Sequence, residues 1–203
     1  MTTYIAPGQE YNAKSNPNLP YAHEVFVGDF NVAIGEVDCA FYVQPEEGIA
    51  GVRRGVCSLF LNGMAVVVRG FAPMDTTIIL NSETCLPYVN GCSTKQIIPP
   101  PRPGDPSLQM LRIPAGSSEQ AHHIHSTARV VYVLEGEGKS IVGMEDNAVS
   151  HDLSPGTVVD LPAMVPHHFV TGPDADLVVL PVHVWSSTPS ELHHPMFTGT
   201  HLA

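Results

Sequence analysis

Proline and glycine recur so often in this chain that a long helix has nowhere to form. Nineteen prolines and 17 glycines are spread through 203 residues. Proline inside a helix removes a hydrogen bond and clashes with the preceding turn, and glycine costs backbone entropy there. Between these breaks lie short runs rich in Val, Ile, Leu, Phe and Tyr. Examples are Glu24–Gly28, Cys57–Leu61, Met64–Arg69, Thr76–Leu80, Val130–Leu134, Thr157–Leu161 and Leu177–Leu180. Short β-branched runs separated by turn residues predict an all-β sandwich or barrel. Asn62-Gly63 and Asn90-Gly91 read as hairpin turns. Hydrophobic residues make up 43% of the chain, enough to bury a substantial core.

The clearest break is Ile97–Pro106, which contains Pro99-Pro100-Pro101. Three consecutive prolines cannot occupy a central strand and favour an extended connection. The expected division is a β-rich region over 1–100, a compact barrel over 107–185 and a tail of little periodicity over 186–203. The first region reads either as strands extending a single barrel or as a degenerate second barrel.

Charge excludes one class of partner. Nine Lys and Arg stand against 20 Asp and Glu, a formal net charge of -11. Arg53-Arg54 is the longest basic run, too little to neutralise a phosphate backbone. No apolar run is long enough to span a bilayer, so no membrane partner is expected. The first residues carry neither the basic nor the apolar region of a secretory signal. Cys39, Cys57, Cys85 and Cys92 form no C-x-x-C pair. Cys85 and Cys92 could approach each other around the intervening turn, but reduced thiols and a cytoplasmic location are expected.

The 11 histidines outnumber Lys and Arg together. Three pairs of neighbours stand out: His122-His123 with His125 close behind, His167-His168 and His193-His194. Residues two apart in a strand project from the same face. His123 and His125 therefore point together, with Ile124 on the other side. A third imidazole from a distant strand, His167, would complete a facial set of three with open positions for water, oxygen or substrate. His122 and His168 have the opposite parity and are expected outside that set. His23, His151, His193, His194 and His201 fall in no motif.

Gly116–Gly136, with its His-x-His pair and closing glycine, resembles the first motif of the cupin family. Gly156–His167, ending in Pro162-Ala-Met-Val-Pro-His167, resembles the second. The resemblance covers roughly the second half of the chain. It implies an antiparallel jelly-roll β-barrel that binds one metal ion through His123, His125 and His167. Two positions depart from the family pattern. Met164 stands where a glycine is common. Arg129 stands seven residues before Gly136, where a glutamate ligand would fall, and a guanidinium cannot ligate a cation. The site thus reads either as a three-histidine centre or as no metal site at all; as the former, its first motif is similar to that of gentisate-type dioxygenases. The resemblance implies a mononuclear metal-dependent enzyme, with Fe(II) favoured and Zn, Ni, Mn or Cu as alternatives. Oxidation of a small anionic or aromatic organic substrate by dioxygen is the first expectation. A non-catalytic small-molecule-binding or sensing cupin is one alternative. A metal-assisted isomerase or lyase is another, although no motif marks a general base for it. Cupins often dimerise, and exposed N-terminal strands would offer an edge for a homodimer.

Arg129 shares parity with Val131 and Val133. On an interior face its guanidinium needs an anion, which a substrate carboxylate held bidentately would supply. A protein carboxylate or an outward reach to water would also serve. The sharper expectation is that Arg129 points into the cavity and binds substrate. Tyr132 has the opposite parity and is expected to pack. Arg112 is read as a surface arginine or a second anion contact. His183 and Trp185 share a face with Leu177 and Val179, making Trp185 either a core aromatic or a pocket wall. Cys92 reads as an inert thiol or as part of the pocket mouth.

Overall fold

The computed structural model describes residues 1–16, 22–69, 74–101 and 104–185, with Glu145 and Trp185 described by backbone alone. The tail at 186–203 and the packing of Trp185 lie outside the described residues. The first strands are Thr3–Ile5 (β1), Tyr11–Lys14 (β2), His23–Ile34 (β3), Asp38–Gln44 (β4), Ile49–Arg54 (β5), Cys57–Arg69 (β6) and Thr76–Ile79 (β7). Leu86–Pro87 (β8), Ser93–Ile98 (β9), Ser107–Ile113 (β10), Thr127–Gly136 (β11) and Gly138–Val142 (β12) follow. Val149–Leu153 (β13), Val158–Leu161 (β14), His167–Thr171 (β15) and Leu177–Trp185 (β16) complete the set. Among the described residues the only helices are the 3₁₀ turns Val89–Gly91 and Glu145–Asn147. Among the described residues no helix is long and apolar enough to cross a membrane.

Three antiparallel sheets result: β2-β3-β6-β4-β5-β7, β1-β14-β11-β16-β10-β9-β8 and β13-β12-β15. Strand parity assigns each side chain to a layer. From the seven-stranded sheet, Leu108, Met110, Val130, Tyr132, Val178 and Leu180 pack against Val25, Phe41, Met64 and Val66 of the six-stranded sheet. On its other face, Ile113, Val131, Val133, Val159, Leu161 and Val179 form a second core with Leu153 and Phe169 of the three-stranded sheet. These two facing sheets are the jelly roll, and the functional site lies between them. Full burial of each large aliphatic side chain here contributes roughly 1.5–3 kcal/mol.

Pairing crosses the proline-rich segment. β9 and β10, on either side of it, are antiparallel neighbours in one sheet. β1, β8 and β9, all within the first 100 residues, belong to the sheet built mainly from residues 107–185. The strands from Tyr11 to Ile79 form the six-stranded sheet. On its face away from the jelly roll, Val32, Ile34 and Leu61 gather against Ala40, Tyr42 and Ala65 in a third core.

One turn expectation holds and one is corrected. Asn90 and Gly91 take left-handed conformations, φ 56° and 77°, and join β8 to β9. Asn62-Gly63 makes no turn, because β6 runs straight through it with Gly63 opposite Gly28. Glycine is required there for a different reason: a Cβ would lie 2.2 Å from the Val43 carbonyl oxygen. Close backbone approach and a tight turn select the same residue.

Candidate metal centre

β15 begins inside the jelly roll. His167 and Phe169 are buried, while His168 between them points away. The backbones of His123 and His167 exchange hydrogen bonds, His123 N to His167 O at 3.1 Å and His167 N to His123 O at 2.9 Å. The two residues therefore stand directly opposite. His125 follows two residues on, its carbonyl accepting from Met164 N at 2.7 Å. Met164 adopts φ 63°, the conformation a glycine would take without penalty, at a cost of about 1–2 kcal/mol for a residue with a side chain. The turn that presents His167 is thus kept although the glycine is absent.

The three imidazoles converge, with one ligand atom of each within 4.8 Å of the others. His123 Nδ1–H donates to Ala121 O at 2.8 Å, and His167 Nδ1–H donates to Val165 O at 2.7 Å. A carbonyl can only accept, so both rings turn their Nε2 lone pairs toward the common centre. His123 Nε2 and His125 Nε2 are 2.8 Å apart. Two nitrogens bound at right angles to one ion, each at roughly 2.1 Å, would be separated by about 3.0 Å. The donor set therefore fits a first-row transition-metal ion, and these three histidines could hold one.

Electrostatics favour the ligating form. Burial, then the Arg129 guanidinium, pushes His125 down to about 3. His167 is pushed down to about 4, by burial first and then by His123 and Arg129. Burial also lowers His123. Neutral imidazoles are what a metal requires.

These shifts carry a stability consequence. In the unfolded chain the imidazoles take up protons near pH 6.5; in the fold His167 and His125 resist until about pH 4 and 3. The unfolded state then binds more protons across that window, so stability falls as pH falls. Glu119 acts in the opposite sense. Burial raises it from 4.5 to about 7, so its share of stability is lost as pH rises through that interval. With His123 and His183 also lowered, the histidines outweigh it. Metal-free protein is expected to lose thermal stability steadily from pH 6.5 to 4, and His125→Asn to flatten that fall. Melting temperatures in chelator at each pH test this; an unchanged slope in the variant would contradict it.

The other singled-out residues separate cleanly. Arg129 lies on the inner face and, with Glu119, Leu161, His167 and Phe169, lines a cavity of about 30 Å³. Its Nε is buried with no hydrogen-bond partner. Arg112 is taken by Asp176, with Nη2 at 2.7 Å and Nε at 2.8 Å from the carboxylate, so it offers nothing to a ligand. Tyr132 packs in the core between the large sheets. Cys92 is buried in the inner core rather than at a mouth, its thiol pushed up to about 11 chiefly by burial, an inert state. All four cysteines are free. His122 and His168 meet outside the site, Nδ1 to Nδ1 at 2.8 Å, while His122 Nε2–H donates to Gly143 O at 2.6 Å. His183 stands beside Arg129 on the neighbouring strand, and burial lowers its pKa well below the ordinary value.

Sequence reasoning missed Glu119. Bridges at Ser118–Val170 and His123–His167 leave residues 119–122 facing only 168–169, a bulge that breaks the backbone ladder. The Glu119 carboxylate fills the gap, Oε2 accepting from Phe169 N at 2.6 Å. It is 6% exposed. A signal was present: Glu119 has the same odd parity as His123 and His125. Beside it, Gln120 Nε2 donates to the Tyr88 hydroxyl, bringing the β8–β9 turn against the site.

The family profile described as Cupin domain matches residues 109–183. In fold the chain is similar to vicilin from Corylus avellana (hazelnut), with a TM-score of 0.52, 10% identity and coverage of 90% of this chain and 85% of that one. It is also similar to a Cupin 2 conserved barrel domain protein from Leptotrichia buccalis (TM-score 0.49, 14% identity, 89% and 91% coverage). A third likeness is to the polyketide cyclase RemF from Streptomyces resistomycificus (TM-score 0.44, 23% identity, 55% and 81% coverage). These likenesses concern the fold alone. No curated protein matches the chain.

Proposed function

From the premise that residues 109–183 of this chain are a cupin domain, we propose that the protein is a mononuclear metal-dependent enzyme, a dioxygenase acting on a small anionic or aromatic organic substrate. The observation that carries this reading is the donor set: three neutral imidazoles converge with a guanidinium, and no carboxylate, at the fourth ligand's place in the motif. A bound Fe(II) would keep its full charge among such ligands and supply the electron chemistry with dioxygen; Zn, Ni, Mn and Cu also accept three imidazoles. His123, His125 and His167 would hold the ion. Arg129 adds positive charge beside them and would anchor a substrate carboxylate or phenolate through its planar fork. Leu161, Phe169 and Val179 line the same interior and would exclude water. Four free thiols suit a cytoplasmic protein. A second reading, a metal-assisted isomerase or lyase working without oxygen, is favoured by the buried Glu119 carboxyl in the same cavity.

The test is oxygen uptake by protein loaded anaerobically with Fe(II), against catechols, hydroxybenzoates, thiols and diketones. Consumption matched to loss of one substrate is expected. Substrate turnover without oxygen consumption would give the site to the second reading. Arg129→Lys keeps the charge and loses the fork, so anion affinity is expected to fall at least tenfold, about 1.4 kcal/mol. Equal anion affinity in wild type, Arg129→Lys and Arg129→Glu would show that Arg129 holds no substrate.

A further inference from the structure

Two ionisable groups share the small cavity behind the histidines without forming an ion pair with each other. Glu119 enters from the bulged segment before His123, and Arg129 from β11; both line the cavity together with His167. Glu119 is fixed in place by the Phe169 N–H at 2.6 Å. Arg129 Nε is buried and unbonded. An unpaired polar atom in such a place is costly. That cost is met when an anion arrives, and an anion arriving beside a buried carboxylate needs that carboxylate's charge removed.

We propose that Glu119 is the acid–base residue of the site: it takes the proton that an acidic hydroxyl, enol or thiol of the substrate gives up as it binds as an anion beside Arg129. The substrate X–H bond breaks, its electron pair stays on X, and an O–H bond forms on Glu119. The net charge of the site is conserved, because the negative charge moves from Glu119 to the substrate and Arg129 gains its partner. No oxidant or reductant is involved. The cavity, about 30 Å³, has room for about one water and none for a substrate, so the substrate stays outside it and the proton reaches Glu119 through a single bridging water. The charged and titratable groups around Glu119 are Arg129 on β11, the Cys92 thiol before β9 and His167 on β15, and Tyr88 in the β8–β9 turn interacts with Arg129. Of these, Arg129 alone is a fixed cation. The inference rests on the anionic-substrate reading and applies equally to oxidative and isomerising chemistry.

Glu119→Gln separates this role from ladder filling, since a glutamine side-chain carbonyl accepts from Phe169 N as a carboxylate does. The full chain, loaded with redox-silent Zn(II), is titrated with catechol, which is uncharged in bulk solution at pH 8. Calorimetry in two buffers of different ionisation enthalpy counts the protons released. Wild type is expected to release almost none, because Glu119 keeps the proton, whereas Glu119→Gln releases about one more per catechol bound. Glu119→Asp, which keeps a carboxylate, should resemble wild type. Equal proton counts in wild type and Glu119→Gln overturn the assignment of Glu119 and leave the anion-binding reading standing. Failure of Zn(II)-loaded wild type to bind catechol or any hydroxybenzoate overturns both.

Discussion

Alanine in place of His123, His125 or His167 is expected to take the purified protein from up to one first-row metal ion per chain to almost none. Each imidazole supplies one of only three donors, and the ligand atoms lie within 4.8 Å of one another. No acidic side chain belongs to this cluster. Removing one donor leaves two, and the open positions would be filled by water. The loss should exceed the roughly 10–100-fold that follows removal of a residue acting behind a ligand. His151 is the control. It stacks on Tyr4, with centroids 3.6 Å apart, and takes no part in the cluster, so His151→Ala should keep its metal. Elemental analysis after dialysis measures the content. Stoichiometric metal in the triple alanine variant would place the binding site elsewhere.

Gly136→Ala is expected to be the most damaging small substitution to the fold. Gly136 ends β11 with φ 79°, a conformation costing a side-chain-bearing residue about 1–2 kcal/mol. The greater penalty is steric. A Cβ there would lie 1.7 Å from the Asp176 carbonyl oxygen and 2.8 Å from its carbon. These are backbone atoms at the entry to β16, and Gly136 pairs with Leu177 in the ladder. Relief requires separating two central strands whose Val131, Val133, Leu177 and Val179 form the inner core. A loss above about 4 kcal/mol puts this among the exceptional substitutions. For a chain of this size it lowers the melting temperature by roughly 8–16 °C. A shift under about 4 °C would show that the contact relaxes cheaply.

Parity made much of the site readable in advance. Once residues 127–136 are taken as a strand, alternation places Arg129 on the face of Val131 and Val133, and the structure has it lining the interior with Val131. The same rule separates His123, His125 and His167 from His122 and His168. What escaped the sequence was set by distant partners. Glu119 sits in an irregular segment whose meaning comes from a bulge opposite β15, nearly fifty residues on in the chain. Gly63 serves a backbone approach by Val43, and no local pattern distinguishes that from a turn. Residues 86–98 read as part of an N-terminal region because the prolines after them break the chain. Hydrogen bonding nonetheless carries their strands into the sheet of β10, since an extended proline segment can link two paired strands as well as two separate bodies.

The placement of β1 bears on how the chain is made. Thr3–Ile5 is synthesised before every other strand among the described residues, yet its partners are Asp160, Val159 and Val158. At about 5–20 residues per second, Ile5 waits roughly 8–30 s for Val158 to be synthesised. The six-stranded sheet, drawn wholly from Tyr11–Ile79, can assemble during that wait. The segment that precedes it cannot. Only after β14 joins the jelly roll is there an edge for β1 to close. Tyr4 then stacks on His151 and donates its hydroxyl hydrogen to Ser140 Oγ at 3.0 Å, and a strand made before those it joins becomes one of the last to be fastened.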